Sequence, residues 1–312
     1  FYLEFFFSGQ SLKLPPFILH MNYEIIKKAL SQKNPILLDG GVGTEVLRRG
    51  VRWRQHGIED APEIIRKIHV DYLEAGVDVL TTHTFNLTKR NFINFFRDAD
   101  HMALIGASDL SAKAMELCRS AVSLAKHALT QTGKTETVSL AGSIAPVMHL
   151  FRPDLSPPEN DCLTHHKECV ETLLNFGVDF IFFEGMNNTR EAKAALHAAS
   201  GFNLPVWMSF VPGLDGNLLN GESLLDAANL ARSLGAEAVL VSAGTIPMIT
   251  KSLPNVMNGS PCGENPSCSA AGSGTKLKRV AGIVWALELE LSSGSTVKGP
   301  FSTPSTAPPV AT

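Results

Sequence analysis

The chain has 312 residues, of which 44% are apolar and 18% charged; 27 Lys and Arg stand against 30 Asp and Glu, for a net charge of −3. That balance excludes a mostly disordered chain, and the slight acidic excess gives no basic face for nucleic acid. No apolar run reaches the roughly 18 residues that a membrane span needs, so no membrane partner is expected. Five cysteines without a CxxC pair make no disulfide scaffold, which points to a reducing, cytoplasmic setting.

The opening Phe1–Phe7 is apolar but contains Glu4, lacks a basic flank and is soon followed by Pro15-Pro16. It makes a poor secretory signal. Residues 1–20 therefore read as an N-terminal extension, and Met21 opens the first helix-like segment.

From there the pattern becomes regular. Ile36–Asp39 is a short apolar run stopped by Gly40-Gly41, and Val77–Thr82, Thr137–Ala141, Val178–Phe183, Val206–Phe210 and Ala238–Val241 follow in turn. Such nearly continuous apolar runs suit parallel strands buried on both faces. Helical patterns lie between them. Pro62–Ala75 places Ile64, Ile65, Ile68, Tyr72 and Leu73 on one face; Leu163–Phe176 and Ser223–Leu234 repeat the design. The junctions are alike, with Gly76, Gly177 and Gly235 each closing a helix just before a strand. Glycine is the residue best suited to the left-handed position past a helix end. Strand–helix alternation argues for an α/β fold of the (β/α)8 TIM-barrel type, a fold of typically about 250 residues, and the absence of GxGxxG after the first strand weakens a dinucleotide-binding reading.

Six βα units end near Gly244, two short of a closed barrel. The chain becomes irregular after Ser252, and Asn258–Gly274 and Ser292–Thr312 are rich in Gly, Ser, Pro or Thr. The expected organisation is an extension at 1–20, a barrel domain at 21–252 that is incomplete after its sixth unit, and an irregular, partly disordered tail at 253–312.

In barrels the functional side chains lie at the C-terminal ends of strands. Those ends carry Asp39-Gly40-Gly41, Thr82-His83-Thr84, Ser143, Glu184-Gly185 and Ser242-Ala243. The segments DGGVGTEVLRRG (Asp39–Gly50), HVDYLEAGVDVLTTHTF (His69–Phe85), AGSIAP (Ala141–Pro146), FFEGM (Phe182–Met186) with Arg190-Glu191-Ala192, and PVWMSF (Pro205–Phe210) resemble, in order, the homocysteine S-methyltransferase family. The likeness runs from about Ile36 to Gly244.

The resemblance implies methyl transfer to the homocysteine thiol, giving methionine, from a small donor of the S-methylmethionine, S-adenosylmethionine or betaine type. Folate-dependent relatives carry large extra domains, hence the preference for a small donor. It also implies that Asp39, Gly40 and Glu184 hold the amino-acid end of homocysteine. A zinc ion on three cysteine thiolates would lower the pKa of the substrate thiol, which near 8.5 is only a few per cent ionised at neutral pH.

The sequence departs from the family pattern at the metal. The pair expected to hold the first zinc cysteine reads Ser242-Ala243, and no adjacent Cys-Cys segment follows. No catalytic or metal residue is therefore assigned. The other reading is a non-catalytic or truncated family member without the zinc–thiolate site. Cys262 and Cys268 lie in a Gly/Pro/Ser-rich stretch, and His83 takes a position where the family usually has Asn. His83 reads as a hydrogen-bonded structural histidine, His165-His166 as solvated, Cys118 and Cys169 as packed thiols, and Trp207 as packing. Trp53 falls in a loop that could cover the site.

Overall fold

A computed structural model describes residues 21–32, 34–51, 55–88, 90, 110–242 and 246–258. In chain order the elements are α1 (Met21–Ser31), α2 (Val42–Arg48), α3 (Pro62–Glu74), β1 (Val79–Thr81), α4 (Leu110–Gln131), β2 (Ser139–Ile144), α5 (Glu159–Asn175), β3 (Phe180–Met186), α6 (Thr189–Ala199), β4 (Val206–Phe210), α7 (Leu224–Ser233), β5 (Ala238–Val241) and α8 (Ile246–Asn258). The sheet runs β1-β2-β3-β4-β5, parallel throughout. This is the expected α/β architecture, with strands in sequential order as in a barrel.

The first expected strand is the exception. Ile36–Asp39 is reduced to one parallel bridge, Leu38 to Val79. Its backbone is held by Asp39 N–H donating to the Val79 carbonyl (3.1 Å) and by Leu37 N–H donating to Asp78 Oδ2 (2.8 Å). The Asp78 carboxylate thus holds the start of this segment, as Asp179 Oδ2 holds the Leu140 N–H in β2 (2.6 Å).

The repeated junctions form as the glycines require. Gly76, Gly177 and Gly235 have φ of 94°, 74° and 99°, a region that costs other residues steric strain. The Ser223 hydroxyl caps α7 by accepting from Asp226 N–H at 3.2 Å. Helix α5 starts earlier than its apolar periodicity suggests, directly after Pro157-Pro158, with Glu159 and Asp161 in its first turn complementing the helix dipole. Helix α8 carries regular structure past Ser252, through Asn258.

Alternation along each strand sorts the core into two sides. Leu80, Leu140, Ile181, Phe183, Met208, Phe210, Val239 and Val241 pack outward against the helices. Val79, Ala141, Phe180, Phe182, Trp207, Ala238 and Leu240 fill the concave side. Helix α1 closes the lower end of that interior. Tyr23 stacks on Phe180 (ring centroids 5.1 Å) and accepts from Trp207 Nε1 (2.8 Å) while donating to Glu237 Oε2 (3.0 Å). Trp207 is thus a packing residue, fully buried.

Candidate functional site

One step beyond the apolar interior layer, the same alternation brings Thr81, Ser143, Glu184, Ser209 and Ser242 inward, one from the end of each strand and all buried. The interior therefore changes from hydrocarbon to a polar ring at the C-terminal ends of the strands.

Asp39 enters this ring from the segment beside β1. Its Oδ2 accepts from both the Thr81 N–H (2.9 Å) and the Thr81 hydroxyl (3.0 Å). Its Oδ1 is buried with no hydrogen-bond partner among the described residues. Burial lifts the Asp39 carboxyl well above its ordinary range; the Thr81 donors oppose this, and the Glu184 charge adds to it. The two acids are thus electrostatically coupled, although far apart in sequence.

Glu184 Oε2 accepts from the Ser143 hydroxyl at 2.5 Å. Ser143 is in turn fixed by its neighbours: its N–H donates to Thr82 Oγ1 (3.1 Å) and its carbonyl accepts from the Thr84 hydroxyl (2.7 Å). The register of β3 against β4 slips here, Phe183 pairing with Met208 but Met186 with Phe210. This bulge lets Phe183 and Met186 both face the helices while Glu184 faces the ring.

Gly40 plays a packing part in addition to the one expected of it. A Cβ there would lie 2.5 Å from the Tyr72 hydroxyl oxygen, so the turn after Asp39 closes over Tyr72 only with glycine.

The loop between β2 and α5 is strapped to the start of α6. Asn187 Nδ2 donates to the carbonyls of His149 (2.9 Å) and Leu150 (3.0 Å), and Arg190 donates to the Ser156 carbonyl (2.8 Å). The Glu191 carboxylate accepts from Val147 N–H (2.6 Å), the Ser156 hydroxyl (2.6 Å) and His166 Nε2 (3.2 Å). His166 is fully buried and His165 partly so, which corrects the expectation of two solvated histidines. With α5 starting at Glu159, His166 turns inward toward Glu191 and Phe183.

His83 is a buried structural histidine. Its Nε2–H donates to the His56 carbonyl (3.0 Å), and the two rings meet edge to face at 5.5 Å. Burial holds the His83 imidazole down at about 3 and that of His56 at about 4, so both are neutral.

A family model described as homocysteine S-methyltransferase matches residues 36–270. The chain belongs to that family. It is 28% identical over 218 residues to homocysteine S-methyltransferase of Escherichia coli, covering 66% of this chain and 67% of that protein. It is 26% identical over 214 residues to homocysteine S-methyltransferase 2 of Zea mays, covering 63% and 61%. A selenocysteine methyltransferase of Astragalus bisulcatus is 26% identical over 223 residues, covering 63% and 64%. The chain thus spans about three-fifths of the length of the maize relative. In structure it resembles the Escherichia coli homocysteine methyltransferase in its metallated form, with a TM-score of 0.63 at 23% identity over 82% of this chain and 94% of that one. At that identity the likeness supports the barrel-type fold.

The described residues do not fit a zinc–thiolate centre. Cys118 lies on α4, and Cys162 and Cys169 lie on α5. Burial pushes the Cys118 thiol up to about 12 and that of Cys162 up to about 11, and it raises Cys169 as well. Such thiols are poor thiolate donors. No group of three His, Cys, Asp or Glu among the described residues is placed to hold a metal. Ala243, Cys262, Cys268 and Trp53 lie outside the described residues.

The sequence singled out Asp39 and Glu184, and the structure couples them in one ring. Ser209, Ser242, His166 and Glu191 were not singled out as site residues. The period-two alternation beyond Trp207 and Leu240 was the available signal for the two serines; the Glu191–His166 pair had none, because it depends on how two helices dock.

Proposed function

We propose that this chain binds homocysteine in the polar ring and serves as a homocysteine S-methyltransferase, with a small sulfonium or ammonium compound as methyl donor. The observation that carries the reading is the Asp39 Oδ1 atom, a buried carboxylate oxygen without a partner among the described residues. A group in that condition costs free energy unless a donor reaches it. The homocysteine ammonium has three N–H donors and a positive charge, which suits two buried acids that feel one another's charge, Asp39 and Glu184.

In the reaction the homocysteine sulfur bonds to the donor methyl carbon. The donor's C–S or C–N bond breaks with its electron pair staying on the donor, and the thiol proton leaves. The residues of the ring supply binding and orientation of the amino-acid end. A cytoplasmic setting suits this chemistry, since it keeps homocysteine as the free thiol, and the proposed product is methionine.

A second reading, a homocysteine-binding member without turnover, is favoured by Ala243 standing at the first cysteine position of the family resemblance. One experiment separates the two: titration calorimetry with L-homocysteine, followed by an assay for methionine formed from S-methylmethionine or betaine. Binding with turnover supports methyl transfer. Binding without turnover supports the second reading. Failure to bind homocysteine overturns both.

A further inference from the structure

We propose that Ser209, backed by Ser242, is a positioning residue that aims Glu184 into the polar ring. The inference rests on the proposed role of Glu184 in holding the substrate ammonium, and it concerns how that carboxylate is set in place.

Between the Phe183–Met208 and Met186–Phe210 pairs, β3 advances three residues while β4 advances two. Glu184 and Gly185 both lie opposite Ser209, and the regular ladder is interrupted at this point. Gly185 adopts φ of 77°, and a Cβ there would run into the Leu150 side chain. The position is thus closed to other residues on two grounds.

The backbone N–H of Gly185 is the group the bulge would leave unpaired in a buried place. The structure gives it a side-chain acceptor instead: Gly185 N–H donates to Ser209 Oγ at 2.8 Å. Ser209 is fully buried, and its hydroxyl pairs with Ser242 Oγ at 2.9 Å. Ser242 is itself held by its N–H donating to the Phe210 carbonyl at 3.0 Å. The two hydroxyls form a short chain from the end of β5 to the peptide immediately after Glu184. Alanine at 209 would orphan the Gly185 N–H, and the peptide that joins Glu184 to Gly185 would lose the bond that fixes its plane at the bulge. Freed there, the Glu184 carboxylate no longer keeps its set position on the Ser143 hydroxyl.

The test is a double-mutant cycle on the full chain, with Ser209→Ala, Glu184→Gln and the pair, read by homocysteine affinity. Ser209→Ala is expected to weaken homocysteine about tenfold, the effect of one lost hydrogen bond. In the Glu184→Gln background the same substitution is expected to change affinity less than about twofold, because it acts through Glu184. A merely structural role makes the two losses multiply, and that outcome overturns the proposal. Should Ser209→Ala fail to fold, Ser242→Ala removes only the backing hydroxyl and is expected to act in the same direction more weakly; an unchanged affinity there overturns the proposal.

A ligand-free readout separates this inference from the substrate reading. The 13C-carboxyl titration of Glu184 is expected to move in Ser209→Ala relative to the unaltered chain. If the unaltered chain binds no homocysteine but this titration moves, the substrate reading fails and the Ser209 role stands. If it does not move, the Ser209 role fails.

Discussion

Glu191 and His166 form a fully buried hydrogen-bonded pair, with Oε1 and Nε2 3.2 Å apart. Burial works against the charged carboxylate, but the His166, Ser156 and Val147 donors outweigh it and hold Glu191 below its usual range. A carboxyl lowered in the folded protein contributes stability that is complete above its unfolded value near 4.5 and is lost as pH falls through the folded value.

Removing this carboxylate is therefore expected to act on the strap between β2 and α5. Glu191→Ala should cost about 3–5 kcal/mol, since it leaves His166 and the Val147 N–H unpaired in the interior. Urea denaturation at neutral pH measures this. Glu191→Gln should lose less and should show a shallower loss of stability below pH 4.5.

His83 offers a second pH-dependent contribution, of a different sign at its origin. Its imidazole is neutral when folded, with a value of about 3 against 6.5 when exposed. The unfolded chain therefore takes up the proton first, and stability falls as pH drops from about 6.5 toward 3. His83→Asn is expected to flatten the part of the curve between pH 6.5 and 4 by a few kcal/mol at most. Thermal melts across that range check it.

Asp39 should show the opposite trade. Its raised pKa means that the ionised form is disfavoured in the unliganded protein, so the contribution of this one group is fully present below the ordinary carboxyl value and is lost as pH rises through the folded value. Asp39→Asn keeps an acceptor for Thr81 and removes the buried charge. It should raise Tm at neutral pH while weakening homocysteine binding by about 2–5 kcal/mol, the usual cost of truncating one partner of a desolvated charge pair. Calorimetry with homocysteine and a thermal scan read both effects.

At Gly40 the expected outcome turns on one neighbour. Gly40→Ala should destabilise by about 1–3 kcal/mol through overpacking against Tyr72. Tyr72→Phe removes the oxygen that the new methyl group meets and should restore most of the loss, so the double variant tests the contact directly.

Much of this was legible in the sequence. The Gly76, Gly177 and Gly235 junctions announced βα units because a left-handed helix end and a buried strand each leave local marks. Asp39 and Glu184 lay among several residues at strand ends, and the family resemblance picked them out of that set. What escaped local reading depends on relations between strands or helices. The strand expected at Ile36–Asp39 shortened to one bridge, Leu38 to Val79, a pairing that the apolar run alone does not reveal. His166 turned inward because α5 begins before its apolar pattern does. The Ser209–Ser242 pair depends on a register slip that neither strand reveals alone.

The polar ring has a consequence for how the site comes into being during synthesis. Its members, Thr81, Ser143, Glu184, Ser209 and Ser242, come from five successive strands spread over more than half the chain. No early fragment contains the ring, and contacts this distant in sequence form late and slowly. A nascent chain that has not yet docked β5 lacks the hydroxyl that backs Ser209. Occupancy of the ring would thus report that the sheet has finished assembling, so ligand capture and completion of folding become one event.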